Sequence, residues 1–317
     1  MHNDSQQKVR YAIITEEEDG QRLDNYLLRV LKGVPKSHIY RIVRGGEVRV
    51  NGKRAKPLSR IACGDSIRIP PIRLSSAKET QVSVGLTDCL LSNIIFEDER
   101  ILVLSKPAGI AVHGGSGLSL GVIEAMRQIR PDLKYLELVH RLDRETSGCL
   151  LLAKKRSSLR AIQALLEART IEKTYWALLA HSWQGKPCVR VDAPLLKSVL
   201  KSGERMVVVS EEGKRSETRF TLLENYADAC WVEALPKTGR THQIRVHAAE
   251  LGHPIVGDRK YNQMDSLPIL SDLKPRMYLH ARAIQFTLND HLYRFESDLD
   301  ETFSSALNLL GGKIDRA

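Results

Sequence analysis

The chain has 317 residues, with 48 Lys and Arg against 38 Asp and Glu, a formal net charge of +10. At 42% hydrophobic and 27% charged residues it has the make-up of ordinary soluble cores, and its length suggests two domains. Apolar runs such as Ile101–Leu104 and Cys149–Ala153 fall far short of the ~18 residues a membrane-spanning helix needs. The polar start, Met1–Arg10, has no apolar segment of a secretory signal. Five cysteines (Cys63, Cys89, Cys149, Cys188 and Cys230) lie no closer than 26 positions apart. That spacing excludes C-x-x-C zinc and redox motifs, and with no signal segment it predicts a reducing, cytoplasmic setting.

The charge is unevenly placed. Between Arg22 and Arg73 lie 13 bases and three acids, Asp24, Glu47 and Asp65, so this segment alone carries +10. The remainder holds 35 bases against 35 acids. A small basic module joined to a neutral body points to an acidic partner such as nucleic acid.

In chain order, residues 1–21 read as a flexible, acidic arm. Leu23, Tyr26, Leu27, Val30 and Leu31 recur at helical spacing, and Gly33 and Pro35 end that helix. Ser37 is positioned to cap a second helix with Ile39, Ile42 and Val43 as its buried stripe, and Gly45-Gly46 stops it. Val48, Val50 and Asn51-Gly52 read as a hairpin, and Ile61, Ile67 and Ile69 as a further strand. Residues 74–91, rich in Ser and Thr without a clear period, read as a linker. The body, 92–312, opens with strands at Ile94–Phe96 and Ile101–Leu104. A helix over Leu120, Ile123, Met126 and Ile129 follows. Cys149–Ala153 is a fully apolar strand, after which Ser157 can cap a helix bearing Leu159, Ile162, Leu165 and Leu166. Thr174–Ala180, Glu217–Leu223, Ala229–Leu235 and Ala283–Leu288 read as strands, and 313–317 as a tail. The expected class is therefore α+β: two helices and a small sheet, then a mixed, largely antiparallel sheet with flanking helices.

Three strings carry chemistry. In the basic module, Lys36, Arg41 and Arg44 fall opposite the apolar stripe of the second helix, a face able to neutralise phosphates. The module's only aromatic residues are Tyr26 and Tyr40, so backbone and shape, more than stacking, are the expected means of recognition. In the body, His140-Arg141-Leu142-Asp143-Arg144-Glu145-Thr146-Ser147-Gly148 sets one carboxylate among cations, where it stays ionised and can act as nucleophile or base. The third string is Thr238-Gly239-Arg240-Thr241-His242-Gln243-Ile244-Arg245-Val246-His247. Here Thr241 can cap a helix running to Leu251, and Arg245 in its first or second turn can reach a carboxylate or phosphate. His242 and His247 are five apart, which is not a helical zinc spacing, and H-E-x-x-H is absent. His113-Gly114-Gly115-Ser116-Gly117 lacks the Walker Lys-Ser/Thr and reads as a loop that approaches a ligand.

Residues 22–73 resemble the S4 RNA-binding domain through Arg22-Leu23-Asp24, Lys36-Ser37, Gly45 to Gly52 and Gly64-Asp65. That resemblance implies binding of structured RNA by the second helix and the adjoining loop, with Lys36, Ser37, Arg41, Arg44 and Arg49 as its contacts. HRLDRETSG at 140–148, together with TGRTHQIRVHAAELGHPIVGD at 238–258, resembles the RluA-type pseudouridine synthases. Lys106-Pro107-Ala108-Gly109 to His113 and Lys173-Thr174-Tyr175-Trp176-Ala177 fit further segments of that family. The resemblance implies Asp143 as the essential aspartate and Arg245 as its partner. It implies Tyr175 stacked on the target uracil and aiding proton removal from C5, and Arg141 opening the stem and filling the space of the flipped base. Lys106, His113 and Arg240 are further expected substrate contacts. The implied reaction is site-specific isomerisation of uridine in 23S ribosomal RNA, free or in an assembling large subunit, by a monomer needing no cofactor, metal, membrane or obligate protein partner. The carboxylate can attack C1′, add to C6 or remove the 2′ proton, and the residues do not choose among these. A tethered RNA-holding module raises the local RNA concentration at the body. The contrasting expectation is a non-catalytic RNA-binding or ribosome-assembly factor, which would not need Asp143, Tyr175 and Arg245 together.

Overall fold

The computed structural model of the chain describes residues 9–31, 34–72, 81–114, 120–199, 205–262 and 273–311. Gly33 as a helix stop, residues 115–117 of the loop His113–Gly117, the first part of the linker and the 313–317 tail lie outside them. The chain separates into two compact units, Met1–Thr80 and Gln81–Ala317.

In the N-terminal unit the elements run β1 (Arg10–Ile13), α1 (Leu23–Val30), α2 (Lys36–Arg44), β2 (Arg49–Val50), β3 (Lys53–Arg54) and β4 (Ser66–Ile69). The four strands form one antiparallel sheet in the order β1-β4-β2-β3. The expected stripes are what the unit buries. Leu23, Tyr26, Leu27 and Leu31 from the first helix pack with Ile39, Ile42 and Val43 from the second and with Ile67 and Ile69 from the sheet. Each large side chain removed from water contributes roughly 1.5–3 kcal/mol. Val30, at the end of the stripe, stays 36% exposed.

Two expectations change here. The stretch read as a flexible arm contains β1, paired residue for residue with β4 from Arg10↔Ile69 to Ile13↔Ser66. The acidic run that suggested fraying is tied down, since Glu18 accepts from Arg29 at 2.6 Å and Asp19 from the Cys63 amide at 3.1 Å. Ser37 does not cap α2: Pro35 takes that position, and the helix opens at Lys36 without a side-chain cap. The fixed φ of proline suits a helix start, and starting there draws Ser37 inside the first turn.

The C-terminal unit runs α3 (Val84–Ser92), β5 (Ile94–Glu97), β6 (Ile101–Lys106), α4 (Val122–Ile129), β7 (Glu137–Leu138), β8 (Ser147–Ala153), α5 (Arg156–Ala168), β9 (Glu172–Ala180) and β10 (Cys188–Asp192). It continues with β11 (Leu195–Val199), β12 (Arg205–Val209), β13 (Glu217–Asn225), β14 (Ala229–Pro236), α6 (Gln243–Glu250), β15 (Leu279–Leu288), β16 (His291–Glu296) and α7 (Glu301–Leu309). The main sheet has the order β10-β13-β14-β9-β15-β8-β6-β5, with β16 on β15 and β7 on β8, while β11 and β12 form a separate hairpin. Among the described residues only β15 and β8 pair in parallel, which is the mixed, mostly antiparallel sheet expected. The apolar run of β8 follows from burial on both faces: Leu150 and Leu152 pack with Ile123 and Met126 of α4, while Leu151 and Ala153 pack with Ile162 of α5. Ala177, Leu179, Val232 and Ala234 lie under Ile244 and Ala248 of α6, and Leu178 and Trp231 under Phe303 and Leu307 of α7.

Part of the expected linker is helical. Ser83 caps α3 by accepting from the Leu86 amide, and Leu90 is fully buried. One buried residue per two turns leaves little period to read. Ser157 does not cap α5, whose N-cap is Lys155 with no side-chain bond. The turn from β8 is instead fixed by Lys154, which donates to Glu97 at 2.6 Å and to the Asp98 carbonyl at 2.6 Å. No described helix is long and apolar enough to cross a membrane.

Candidate active site

A cavity of about 690 Å³ in the C-terminal unit is lined by the loop before β8, the end of α5, β9 and the turn entering α6. Asp143, Tyr175, Arg245, Arg141 and Arg240 all line it, so residues 102 positions apart in sequence meet in one place. Asp143 accepts a hydrogen bond from Arg245 Nη1 at 2.9 Å, and its side chain keeps 27% exposure.

The loop bearing Asp143 is clamped. Thr146 N–H donates to the Asp143 carbonyl at 3.2 Å and closes a turn. Lys106 Nζ donates to the carbonyls of Pro107, Ile110 and Arg144 at 2.8, 2.9 and 3.0 Å. Gly109 N–H meets the Arg144 carbonyl at 2.9 Å, and Arg144 Nε returns the bond to the Gly109 carbonyl at 2.9 Å. Lys106 is therefore not a substrate contact. It is completely buried, and burial pulls its ammonium down to about 7, against the opposing pull of Glu145 and Asp143. The Lys-Pro segment anchors the loop that bears Asp143. His113 is exposed and does not line the cavity. The glycine closing the aspartate string has its own reason. At Gly148, φ +103°, a Cβ would sit 2.3 Å from the Ala281 carbonyl oxygen where β8 meets β15, and only glycine permits that approach.

Arg245 is aimed by more than its helix. Its Nε and Nη2 form a fork with the two oxygens of Asp258 at 2.7 and 2.8 Å, and its guanidinium lies 5.0 Å from the ring centre of Tyr261. Burial alone would lower its pKa. The bidentate bond and the charges of Asp258 and Asp143 outweigh that and raise it. A planar donor fork with one edge fixed leaves Nη1 as the remaining arm for Asp143. The N-cap of α6 is His242, in the left-handed region at φ 55°, and not Thr241. Gln243 does the anchoring: its Oε1 accepts from the Thr238 hydroxyl and the Arg240 amide at 2.7 and 3.0 Å, and its Nε2 donates to the Glu217 carbonyl at 2.9 Å. His247, fully buried, spans Thr218 Oγ1 at 2.8 Å and the Ala193 carbonyl at 3.0 Å.

Four residues of the site carried no role in the sequence reading. Asp258 had only the VGD of its string to mark it, and Tyr261 follows three positions later. The Tyr261 hydroxyl accepts from the Val207 amide of the β11–β12 hairpin at 3.0 Å and lies 2.7 Å from His242 Nδ1. His242 Nε2 in turn lies 3.8 Å from Asp143, and burial lowers the imidazole pKa despite the pull of Asp143. Lys173 shares a face of β9 with Tyr175 and lines the cavity; burial lowers its pKa. Burial, with help from the Asp143 charge, pushes the Tyr175 phenol well above its usual value, so it meets a ligand protonated.

In the N-terminal unit, Lys36, Ser37, Arg41 and Arg44 are exposed on α2. The Lys36 and Arg44 cations lie 5.4 and 5.6 Å from the centre of the Tyr40 ring, whose hydroxyl donates to Asp24 at 2.7 Å. Arg49 belongs elsewhere, on the sheet.

Comparisons with known proteins agree with this assembly. The profile of the RNA pseudouridylate synthase family matches residues 100–250, and that of the S4 domain matches residues 21–67. The chain is 51% identical over 307 residues to "Ribosomal large subunit pseudouridine synthase C" of Haemophilus influenzae, covering 95% of both chains. It is 50% identical over 309 residues to the protein of the same name from Escherichia coli K12, covering 95% of this chain and 97% of that one. Among solved structures, human RNA pseudouridylate synthase domain containing 4 superposes with a TM-score of 0.62 at 26% identity, over 73% of this chain and 97% of that one.

Proposed function

Because the chain belongs to the RNA pseudouridylate synthase family, we propose that it isomerises uridine to pseudouridine in large-subunit (23S) ribosomal RNA, with Asp143 as the reacting carboxylate. The observation that carries the reading is the Asp143 carboxylate, partly exposed in a cavity of about 690 Å³ and held at 2.9 Å by an arginine that a second, buried carboxylate aims. The substrate follows from the names of relatives that share about half of this chain's residues over nearly its whole length.

The reaction breaks C1′–N1, turns the uracil within the cavity, forms C1′–C5 and moves a proton from C5 to N1. Atoms and electrons balance within the substrate, so the protein's part is to hold, orient and shuttle a proton. Arg245 holds the Asp143 carboxylate pointed at the sugar. Tyr175 offers a ring face to the base, and a carboxylate in the same cavity takes the C5 proton. Arg141, exposed at the cavity, fills the space the base leaves, and Arg240 contacts the backbone alongside. Withdrawing a base from its stack costs a few kcal/mol, which Lys36, Ser37, Arg41 and Arg44 of α2 offset by holding the RNA. The protein acts as a monomer in the cytoplasm, where that RNA is made.

Chemical mapping of pseudouridine on 23S ribosomal RNA from cells lacking the gene tests the substrate. Specific sites should lose the modification and regain it with the wild-type gene but not with Asp143→Asn. Unchanged modification in the deletion strain overturns the substrate, and full rescue by Asp143→Asn overturns the assignment of Asp143.

A further inference from the structure

The N-terminal unit carries a second basic surface on the side of its sheet that faces away from α1 and α2. Residues paired directly across antiparallel strands share a face. Tyr11 pairs with Arg68, Arg68 with Arg49, and Arg49 with Arg54. Their neighbours Ala12, Val50 and Ile67 pack into the helix-side core. The outer face thus presents one row, Tyr11–Arg68–Arg49–Arg54, running across all four strands. Directly opposed like charges destabilise a sheet, and no ion pair relieves these arginines among the described residues. The fold alone gives no reason for them.

The row is also held in place for a ligand. Arg49 donates to the carbonyls of Gly46 and Gly52 at 3.3 and 3.2 Å, and Arg68 to the Glu47 carbonyl at 2.5 Å. Their guanidinium groups are fixed by neutral oxygens and keep their whole charge. Between them and Tyr11 lies a hollow of about 390 Å³, floored by Ser66 and bounded by Gly46 and Gly52, which place no side chain in it. Tyr11 is 69% exposed, an aromatic ring left in water beside two anchored cations. It sits on β1, which precedes the S4-matching residues 21–67, so the site depends on a strand added outside that match.

We propose that this sheet face is a second RNA site, distinct from the α2 surface, which takes an unpaired nucleotide: Arg68 and Arg49 bind its phosphate, and the Tyr11 ring stacks on its base. It rests on the reading of the chain as an enzyme acting on ribosomal RNA. Two guanidiniums at adjacent register positions match the spread of phosphate oxygens, and base–aromatic stacking supplies the sequence-tolerant part.

The test is equilibrium binding of the full chain to a 23S ribosomal RNA transcript across a salt series, with single-turnover pseudouridine formation measured in parallel. The double variant Arg49→Glu, Arg68→Glu should weaken binding about tenfold or more and flatten the salt dependence by about one phosphate contact or more. Tyr11→Ala should weaken binding about five-fold or more with the salt slope unchanged, and Tyr11→Phe should restore it. Arg60→Glu changes the charge as much as one row substitution does, at an exposed position off the row, and should change affinity less than Arg49→Glu or Arg68→Glu alone. The milder Arg49→Gln, Arg68→Gln pair should shift binding in the same direction as the glutamates. Wild-type affinity in the row variants, or an equal loss from Arg60→Glu, overturns the second site while leaving the proposed activity standing. A wild-type protein that makes no pseudouridine in any ribosomal RNA transcript overturns the activity itself, whatever the row variants do.

Discussion

Arg245 and Arg49 carry the same guanidinium and are held in opposite ways. Arg245 is buried between two carboxylates, Asp258 and Asp143, so its charge is spent on geometry: it sets where an Asp143 oxygen stands. Arg49 is exposed and, among the described residues, bonded only to peptide carbonyls, so its charge is offered outward. The same division runs through the two units. In the C-terminal unit Arg130 pairs with Glu97 and Asp132, Arg276 with Asp300 and Arg282 with Glu296. In the N-terminal unit Arg22 and Arg29 are paired, and the α2 and sheet cations have no carboxylate partner among the described residues. A net charge is thus a poor guide to a binding surface until each cation's partner is known. The sequence outside the basic module holds 35 bases against 35 acids, and in the body several of its arginines are matched to carboxylates at close range.

The sharpest break between paired and offered charge comes from removing the paired carboxylate itself. Asp143→Asn should lower single-turnover pseudouridine formation by about 10⁴-fold while leaving RNA affinity and thermal unfolding near wild type, because its side chain is partly exposed. A variant that lost binding and kept turnover would invert the roles assigned to the two units. Asp258→Ala comes next. It strands a buried guanidinium, at a cost of about 3–5 kcal/mol, and should lower the melting temperature by roughly 10 °C or more along with activity. If Asp258→Ala melted like wild type, the pair would be an exposed one with little to hold. Reversing Lys36, Arg41 and Arg44 together should weaken binding of 23S ribosomal RNA about a hundredfold near physiological salt and reduce the salt slope by up to about three phosphates, with the rate at saturating enzyme little changed. Equal salt slopes for variant and wild type would remove α2 from the RNA surface.

The legibility of the chain in its sequence divides along similar lines. Asp143 and Arg245, which the structure brings into one cavity, stand in short strings of unusual composition, whereas Tyr175 was singled out only by the family resemblance; the sheet strands were legible because their apolar runs are buried on both faces. Lys106 was placed in the right segment with the wrong role. A lysine in a motif suggests a phosphate contact, and nothing local tells that three carbonyls from two loops close around its ammonium. Asp258 and Tyr261 were invisible as site residues because their partners lie 13 and 19 positions away across a helix. β1 was lost because its pairing with β4 joins positions more than 50 apart, and its outward Tyr11 and Ile13 hide the alternation that marks a half-buried strand. The corrected helix starts have a common cause: a serine or threonine near the start is a good cap in isolation, but at Pro35 and Gln243 other groups fix the helix start first.

The smallest expected effect tests whether a buried polar network in the catalytic unit is built on a neutral ring. His280 is 1% exposed, with Nε2 donating to the Ser297 carbonyl at 2.9 Å and Nδ1 at 2.9 Å from the Ser147 hydroxyl, which also accepts from Arg276 at 3.0 Å. With Nε2 carrying the proton, Nδ1 is left as the acceptor. A second proton would have to sit among Arg276, Arg282 and a hydroxyl already oriented toward the ring. Burial accordingly lowers the imidazole to about 4, against about 6.5 in an unfolded chain. Between those values the unfolded state binds more protons than the folded one, so stability falls as pH falls through that window and levels off below about 4. From pH 6.5 to 5.5 this one residue should remove about 1 kcal/mol of unfolding free energy, on top of the same-signed contributions of His140 and His247. His280→Gln keeps a donor and an acceptor but cannot titrate. Urea unfolding at several pH values should show the slope reduced by one proton's worth in that variant. An unchanged slope would mean that His280 is protonated in the folded state, with the Ser147 hydroxyl accepting from Nδ1–H as well as from Arg276.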